Sequence, residues 1–266
     1  MNPGDKFTLN PTITPTGAYN KTLKYTSSNS DIAYVNPSTG EITAYKAGFA
    51  VITATATDGS NVTATCTVYV TPSTPSSVYH SSSSTSVIKV SWDSVYNASG
   101  YTLYRKSGSK WKAIKNTTAT SYTVKKLKSG TGYQFRVRAY VTISGKKYYS
   151  GYTSTGYLAT KPGKAKITSI KKAKKTSYPY SITYRATIRW KKVSGATQYK
   201  VYYRYAGSSY KYYYGTFKGT KATVSQSISR YSSASKTRTF YVVAEKVYKN
   251  RTYTGSYSSG KKYKLK

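Results

Sequence analysis

The sequence predicts an all-β protein built from small tandem units, and three observations carry that expectation. Tyr, Thr, Ser and Val dominate while Leu and Met are scarce, and Tyr alone supplies 33 of 266 residues. β-Branched and aromatic side chains pack well on a pleated surface, so this is the composition of strands. No segment sustains the spacing of apolar residues that an amphipathic helix needs. The third observation is a repeat. Trp92, Val95, Tyr101, Leu103 and Tyr104 return as Trp190, Val193, Tyr199, Val201 and Tyr202, each 98 residues on. Recurrence at that distance marks repeated domains, and the length leaves room for two or three of them. Each copy reads as strand, polar loop, strand, with the Trp facing the Tyr as a core seed.

Residues 1–71 form the first unit. Ile32, Val35 and Ile42 lie in short segments around the turn signal Asn36-Pro37-Ser38-Thr39-Gly40. Asp58-Gly59 is a hairpin turn between Ala50–Ala56 and the run from Val62 to Val70. In that run Val62, Ala64, Cys66, Val68 and Val70 share one face, which is expected to be buried. The segments Thr26-Ser27-Ser28-Asn29-Ser30-Asp31-Ile32-Ala33, Gly40-Glu41-Ile42-Thr43-Ala44 and Ala47-Gly48 closely resemble the bacterial immunoglobulin-like group 2 domain. Tyr25 stands where that family usually has Trp.

Thr71 to Ser77 holds Pro72 and Pro75 and reads as a semi-extended linker. Residues 78–161 form the second unit. In Tyr133–Tyr140, Tyr133, Phe135, Val137 and Ala139 face inward, and Gln134, Arg136 and Arg138 outward. Trp92, Tyr101, Leu127 and Tyr133 together resemble a fibronectin type III domain, and the resemblance makes Tyr133 its tyrosine corner, whose hydroxyl bonds back to the backbone.

Residues 162–266 form the third unit, a divergent copy of the second. Phe240, Val242 and Ala244 answer Phe135, Val137 and Ala139 at an offset of 105 rather than 98. Seven residues are therefore gained, expected in loops between Gly207 and Ser235. Arg238 occupies the tyrosine-corner position. The resulting fold class is three tandem immunoglobulin-like β-sandwiches.

Charge bears most directly on function. The chain carries +37, from 43 basic and 6 acidic residues. Residues 1–71 are neutral, with four of each sign. Residues 72–161 set 14 basic residues against Asp93, for +13, and residues 162–266 set 25 against Glu245, for +24. Such a field attracts polyanions.

Little points to catalysis or to a cofactor. The second and third units own one acid each, too few for paired general acid and base work, and no Asp-rich loop offers a calcium site. His80 reads as a solvated surface residue. Cys66 lies on an apolar strand face and reads as a buried, inert thiol. One cysteine excludes an intrachain disulfide.

Two clusters are candidates for ligand binding. Lys171, Lys172, Lys174 and Lys175 are expected in a loop after the first strand of the third unit. Tyr202, Tyr212, Tyr213 and Tyr214, flanked by Arg204, would present outward rings to sugars or bases. Charge runs are usually solvated faces, and tyrosine ladders usually stabilise strands. The resemblances imply a secreted or cell-surface bacterial protein, and the absence of a leader reads as a segment of a longer one. The expected role is a spacer and non-enzymatic attachment to an anionic polymer, wall teichoic acid or an acidic glycan. An adhesin for carbohydrate or a host surface protein, and the stalk of a larger enzyme, are the alternatives. A monomer without specific nucleic-acid binding or a transmembrane segment is expected.

Overall fold

The computed structural model describes residues 1–233 and 235–265. All regular structure among them is β-strand. No helix is long and apolar enough to cross a membrane. The chain divides into two compact units. One comprises Met1–Tyr79, Ser91–Tyr122 and Gln134–Gly156, and the other His80–Val90, Thr123–Tyr133 and Tyr157–Lys266.

The first strands are β1 (Lys6–Thr8), β2 (Leu23–Ser27), β3 (Ala33–Val35), β4 (Glu41–Ala44), β5 (Gly48–Ala56) and β6 (Thr63–Val70). They form two antiparallel sheets, ordered β1-β4-β3 and β2-β5-β6. Alternation on β5 buries Ala50, Ile52 and Ala54 against Tyr25, Ala33, Val35 and Ile42. The 36–40 turn forms as its composition requires: the Asn36 side-chain carbonyl accepts the Ser38 and Thr39 amides. Gly40 ends that turn at φ +69°, and a Cβ there would lie 2.9 Å from the Tyr25 ring. The Tyr25 ring thus fills the core under a backbone that only glycine lets close.

The β6 face differs from expectation. Cys66 is exposed, as are Ala64 and Val62, the last at 66%. β6 is an edge strand, and β1, the edge of the other sheet, is three residues long and exposed throughout. A cleft of about 480 Å³ among Phe7, Leu9, Ile42, Cys66 and Val68 lies where alternation alone predicts a packed core.

The middle strands are β7 (Val78–Ser83), β8 (Ile88–Trp92), β9 (Gly100–Ser107), β10 (Lys110–Thr117), β11 (Ser121–Val124), β12 (Gly132–Ile143), β13 (Lys146–Tyr149) and β14 (Gly156–Ala159). One sheet runs β11-β8-β7, and the other β10-β9-β12-β13 with β14 also on β12. Phe135, Val137 and Ala139 are fully buried. The Tyr133 hydroxyl accepts the Lys128 amide at 2.8 Å, the corner bond that the resemblance implied. His80, on β7, is half-buried with its ring edge-on to Tyr253 at 5.5 Å, so it is not the solvated residue the Ser-rich context suggested.

The last strands are β15 (Ile167–Ser177), β16 (Ser181–Trp190), β17 (Gln198–Tyr205), β18 (Tyr212–Phe217), β19 (Lys221–Ser229), β20 (Thr237–Tyr248), β21 (Arg251–Tyr257) and β22 (Lys261–Lys264). Their sheets run β15-β16-β19 and β18-β17-β20-β21 with β22 on β20, repeating the middle topology strand for strand. The repeat extends to side chains. Trp92 meets Tyr101 at 5.8 Å and Trp190 meets Tyr199 at 5.4 Å. The Tyr101 hydroxyl accepts the Val95 amide and the Tyr199 hydroxyl the Val193 amide, both at 2.8 Å.

Most of the gained residues lie in the anticipated stretch, but in a strand rather than in loops. The Trp92 amide bonds to Thr120 and the Trp190 amide to Thr220, so the offset is already 100 there. Most of the remainder lengthens a strand: β19 has nine residues where β11 has four. The longer sheet has its own small core of Tyr184, Ile228 and Leu265. The connection from β19 to β20 is as long as that from β11 to β12, but Arg238 stands where the second unit has Tyr133. Arg238, 3% exposed, instead donates to the Ser235 and Thr237 carbonyls and, at 3.4 Å, to the Gln226 amide oxygen.

Candidate functional site

Lys171, Lys172, Lys174 and Lys175 lie on a strand, not in a loop. They sit in β15, paired with Thr187, Ala186, Arg185 and Tyr184 of β16, with a bulge between Lys172 and Lys174. β15 is an edge, and the bulge leaves five consecutive residues, Lys171 to Lys175, exposed. The sequence signal misleads because a charge run without apolar alternation looks like a loop. An edge strand tolerates it, since lysines and a bulge there also discourage pairing with another chain.

The tyrosine candidates divide between two faces of the β18-β17-β20-β21 sheet. Tyr199, Val201 and Phe240 belong to the core and Tyr203 packs against it, so Tyr202 and Arg204 point the other way. Tyr202 pairs with Tyr213, with rings 5.6 Å apart, and also meets Tyr257 at 5.1 Å. Tyr257 continues to Tyr241 at 6.2 Å. The Lys211 ammonium lies 4.9 Å from the Tyr257 ring and the Arg204 guanidinium 5.9 Å from Tyr241. Tyr212 and Tyr214 belong to the opposite face. Tyr212 stacks on Tyr203 at 5.4 Å, and Tyr214 lies parallel to Phe217 while its hydroxyl accepts the Ser225 amide. Tyr214 therefore ties β18 to β19 rather than facing a ligand. The lysines lie on the other sheet, so the candidates do not make one site.

Glu245 also lies on the Tyr202 side of this sheet, fully buried. Its carboxylate takes the Lys200 ammonium at 3.1 Å, the Gln198 amide at 2.8 Å and the Thr254 hydroxyl at 3.0 Å. The hydrogen bond that Lys200 donates to Glu245, and the charge of that carboxylate, hold the Lys200 ammonium above the usual lysine range. Asp93, the one acid of residues 72–161, accepts from the Ser76 and Ser77 hydroxyls.

A third cluster was not anticipated. On the β10-β9-β12-β13 sheet the Arg136 guanidinium lies 3.5 Å over Tyr152 and 4.4 Å over Trp111. Arg138 lies 3.6 Å over Tyr149 and 5.3 Å over Tyr104. The sequence places both arginines outward, but the rings come from β9, β10 and the β13 region. Only the sheet order brings them together. The alternation of Arg136 and Arg138 on one strand was the available signal.

Among the described residues, no group of three His, Cys, Asp or Glu is placed to hold a metal ion.

Comparison with known proteins matches the strand pattern. Residues 1–68 fit the family model of the bacterial Ig-like domain (group 2), and residues 71–155 that of the fibronectin type III domain. The chain carries one bacterial Ig-like module followed by a fibronectin type III module. An Ig-like virion protein of Serratia phage KSP90 is 45% identical over 67 residues, 25% of this chain and 26% of that protein. An uncharacterised protein of Clostridium acetobutylicum is 44% identical over 64 residues, 24% of this chain and 6% of that protein. The matches thus span about a quarter or less of these relatives. Among solved structures, the fibronectin type III domain of human fibronectin type III domain containing protein 3 aligns at 24% identity and a TM-score of 0.29, covering 34% of this chain and 86% of that one. The FN1–FN3 domains of chicken CNTN1 align at 15% identity and 0.39, covering 91% and 90%. Immunoglobulin-like and fibronectin type III modules are typically non-catalytic, and residues 1–155 are built from them.

Proposed function

We propose that this chain is an extracellular, non-enzymatic region of a surface or virion protein that acts as a spacer and holds to anionic polymers. In this reading residues 162–266 are a second fibronectin type III module. Residues 72–266 supply the attachment, to wall teichoic acid or an acidic glycan. One observation carries it: the 39 basic residues of 72–266 face two acids, and both acids are already engaged, Asp93 by serines and Glu245 by Lys200. The basic surface therefore lacks internal counter-ions, and an external polyanion would release its own on binding.

The test is retention of the full chain on purified wall polymer or acidic glycan as salt is raised. Retention falls steeply with salt. Replacing Lys171, Lys172, Lys174 and Lys175 with glutamine flattens the log–log salt dependence. On a polyphosphate-like ligand the slope falls by about 0.7–0.9 for each phosphate left without its lysine. Retention that ignores salt would end the reading. The partial exposure of Tyr213 and Tyr257 beside Lys211 favours a second one, an adhesin stacking sugar rings on that face. Tyr213→Ala and Tyr257→Ala variants on a neutral glycan array separate the two.

A further inference from the structure

We propose that the outward face of the β10-β9-β12-β13 sheet is a recognition site for an acidic polysaccharide, with Arg136 and Arg138 as the groups that read its carboxylates or sulfates. The proposal rests on the anionic-polymer reading above and names the site and ligand class within it.

Both guanidiniums are held flat in aromatic stacks. Arg136 lies 3.5 Å over Tyr152 and 4.4 Å over Trp111, and Arg138 rests on Tyr149 at 3.6 Å beside the Tyr104 hydroxyl. Stacking occupies the faces of a guanidinium and leaves its N–H edge for other partners. The Nε atoms of both arginines are buried without a hydrogen-bond partner. That burial closes Nε to a polymer, so the two terminal nitrogens of each fork are the part that would grip a carboxylate or sulfate through two parallel bonds, and the stacks orient them.

Charge points the same way. The arginines are two residues apart on β12, so their backbones are about 7 Å apart on one face and the cations repel. Among the described residues no carboxylate pairs with either. Asp93 is held by Ser76 and Ser77, Glu41 by Lys6 and Asp31 by Lys46. Lys147, 4.0 Å over Tyr140, extends the same basic row. A polymer bearing an anion on successive sugars would relieve that repulsion.

The sheet does not need these arginines to form. In the topologically equivalent sheet β18-β17-β20-β21, Tyr202 stands for Tyr104, but Tyr241 and Val243 stand for Arg136 and Arg138. That sheet keeps its pairing with no guanidinium at either position. The ladder is thus an addition to the fold, and its exposed rim, Tyr152 at 38%, gives sugar rings an aromatic surface.

The experiment uses the full chain on surfaces of dextran sulfate, polygalacturonate and neutral dextran at fixed salt. Arg136→Lys/Arg138→Lys keeps the charge and removes the planar forks. The expected result is at least a tenfold loss of affinity for both acidic polymers with little change in salt slope. The Lys171/Lys172/Lys174/Lys175→Gln variant should lose salt slope but less affinity. If the arginine-to-lysine variant binds within twofold of the parent while the four-lysine variant fails, anionic attachment stands and this site is overturned. If the parent binds the acidic polymers no better than neutral dextran, both readings fall. Tighter binding to polyphosphate than to either polysaccharide overturns the ligand class. Should the double variant not fold, phenylglyoxal labelling of the parent decides: dextran sulfate must protect Arg136 and Arg138, and unprotected labelling refutes the site.

Discussion

Replacing Glu245 by alanine would test how the most basic part of the chain tolerates its single acid. The carboxylate is fully buried and holds three partners, Lys200, Gln198 and Thr254. Hydrogen bonds to a charged group contribute about 1.5–3 kcal/mol each when both partners are out of water. Two corrections reduce the sum. The Lys200 side chain is 34% exposed and swings to solvent once its partner is gone, so its share falls toward the value of a surface pair. The Gln198 and Thr254 bonds are part-buried. We expect a loss of about 3 kcal/mol for Glu245→Ala and about 1–2 kcal/mol for Glu245→Gln, which keeps the shape and some of the bonds. Lys200→Met, which strands a buried carboxylate, should cost about as much as the alanine change. The assay is chemical denaturation of the full chain followed by tyrosine and tryptophan fluorescence, supported by calorimetry. Because the carboxylate is buried, the difference should persist at high salt. A Glu245→Ala protein within about 0.5 kcal/mol of the parent would refute the reasoning, since changes of that size are typical of ordinary surface positions.

Three further outcomes follow from the same geometry. Tyr101→Phe and Tyr199→Phe each leave one amide, of Val95 or Val193, without its acceptor, and each should lose about 1–2 kcal/mol in denaturant titrations. Clearly unequal losses would mean the repeated loops are not equivalent. Burial, then the nearby Arg251 and Lys161 charges, hold the His80 imidazole below its ordinary value of 6.5. The folded state therefore favours the neutral ring, so this contribution is present above pH 6.5 and is lost as pH falls through the lowered value. Melting temperatures of the parent should drop on acidification in that window, and those of His80→Phe should drop less. Cys66, exposed on β6, should react with a thiol reagent in the native protein as fast as in the unfolded chain. Protection in the native state would show the β6 face to be covered.

Much of the fold was legible in residue order. Strand alternation buries Phe135, Val137 and Ala139, and the repeated Trp and Tyr pairs sit where a shared topology needs them. The Tyr133 corner follows from one residue in one context. The failures share a cause. Alternation on β6 marks a face but not whether anything covers it, and the short opposing sheet leaves Cys66 exposed. The lysine run carries no period, so its place on a bulged edge depended on the partner strand β16.

The candidate sites divide in the same way. The sequence by itself determined an all-β chain, the inward and outward residues of its regular strands, the 98-residue repeat and the rise in charge toward the C-terminal part. These depend on side-chain type and a period of two, which are local properties. The tertiary structure decided which faces stay open, that Tyr202 and Tyr213 part from Tyr212 and Tyr214, and that Arg238 bonds to the Ser235 carbonyl at the corner position. It also brought Trp111, Tyr149 and Tyr152 onto Arg136 and Arg138. Each of these depends on strand order, bulges and strand length, and residues far apart in the chain become neighbours only through pairing.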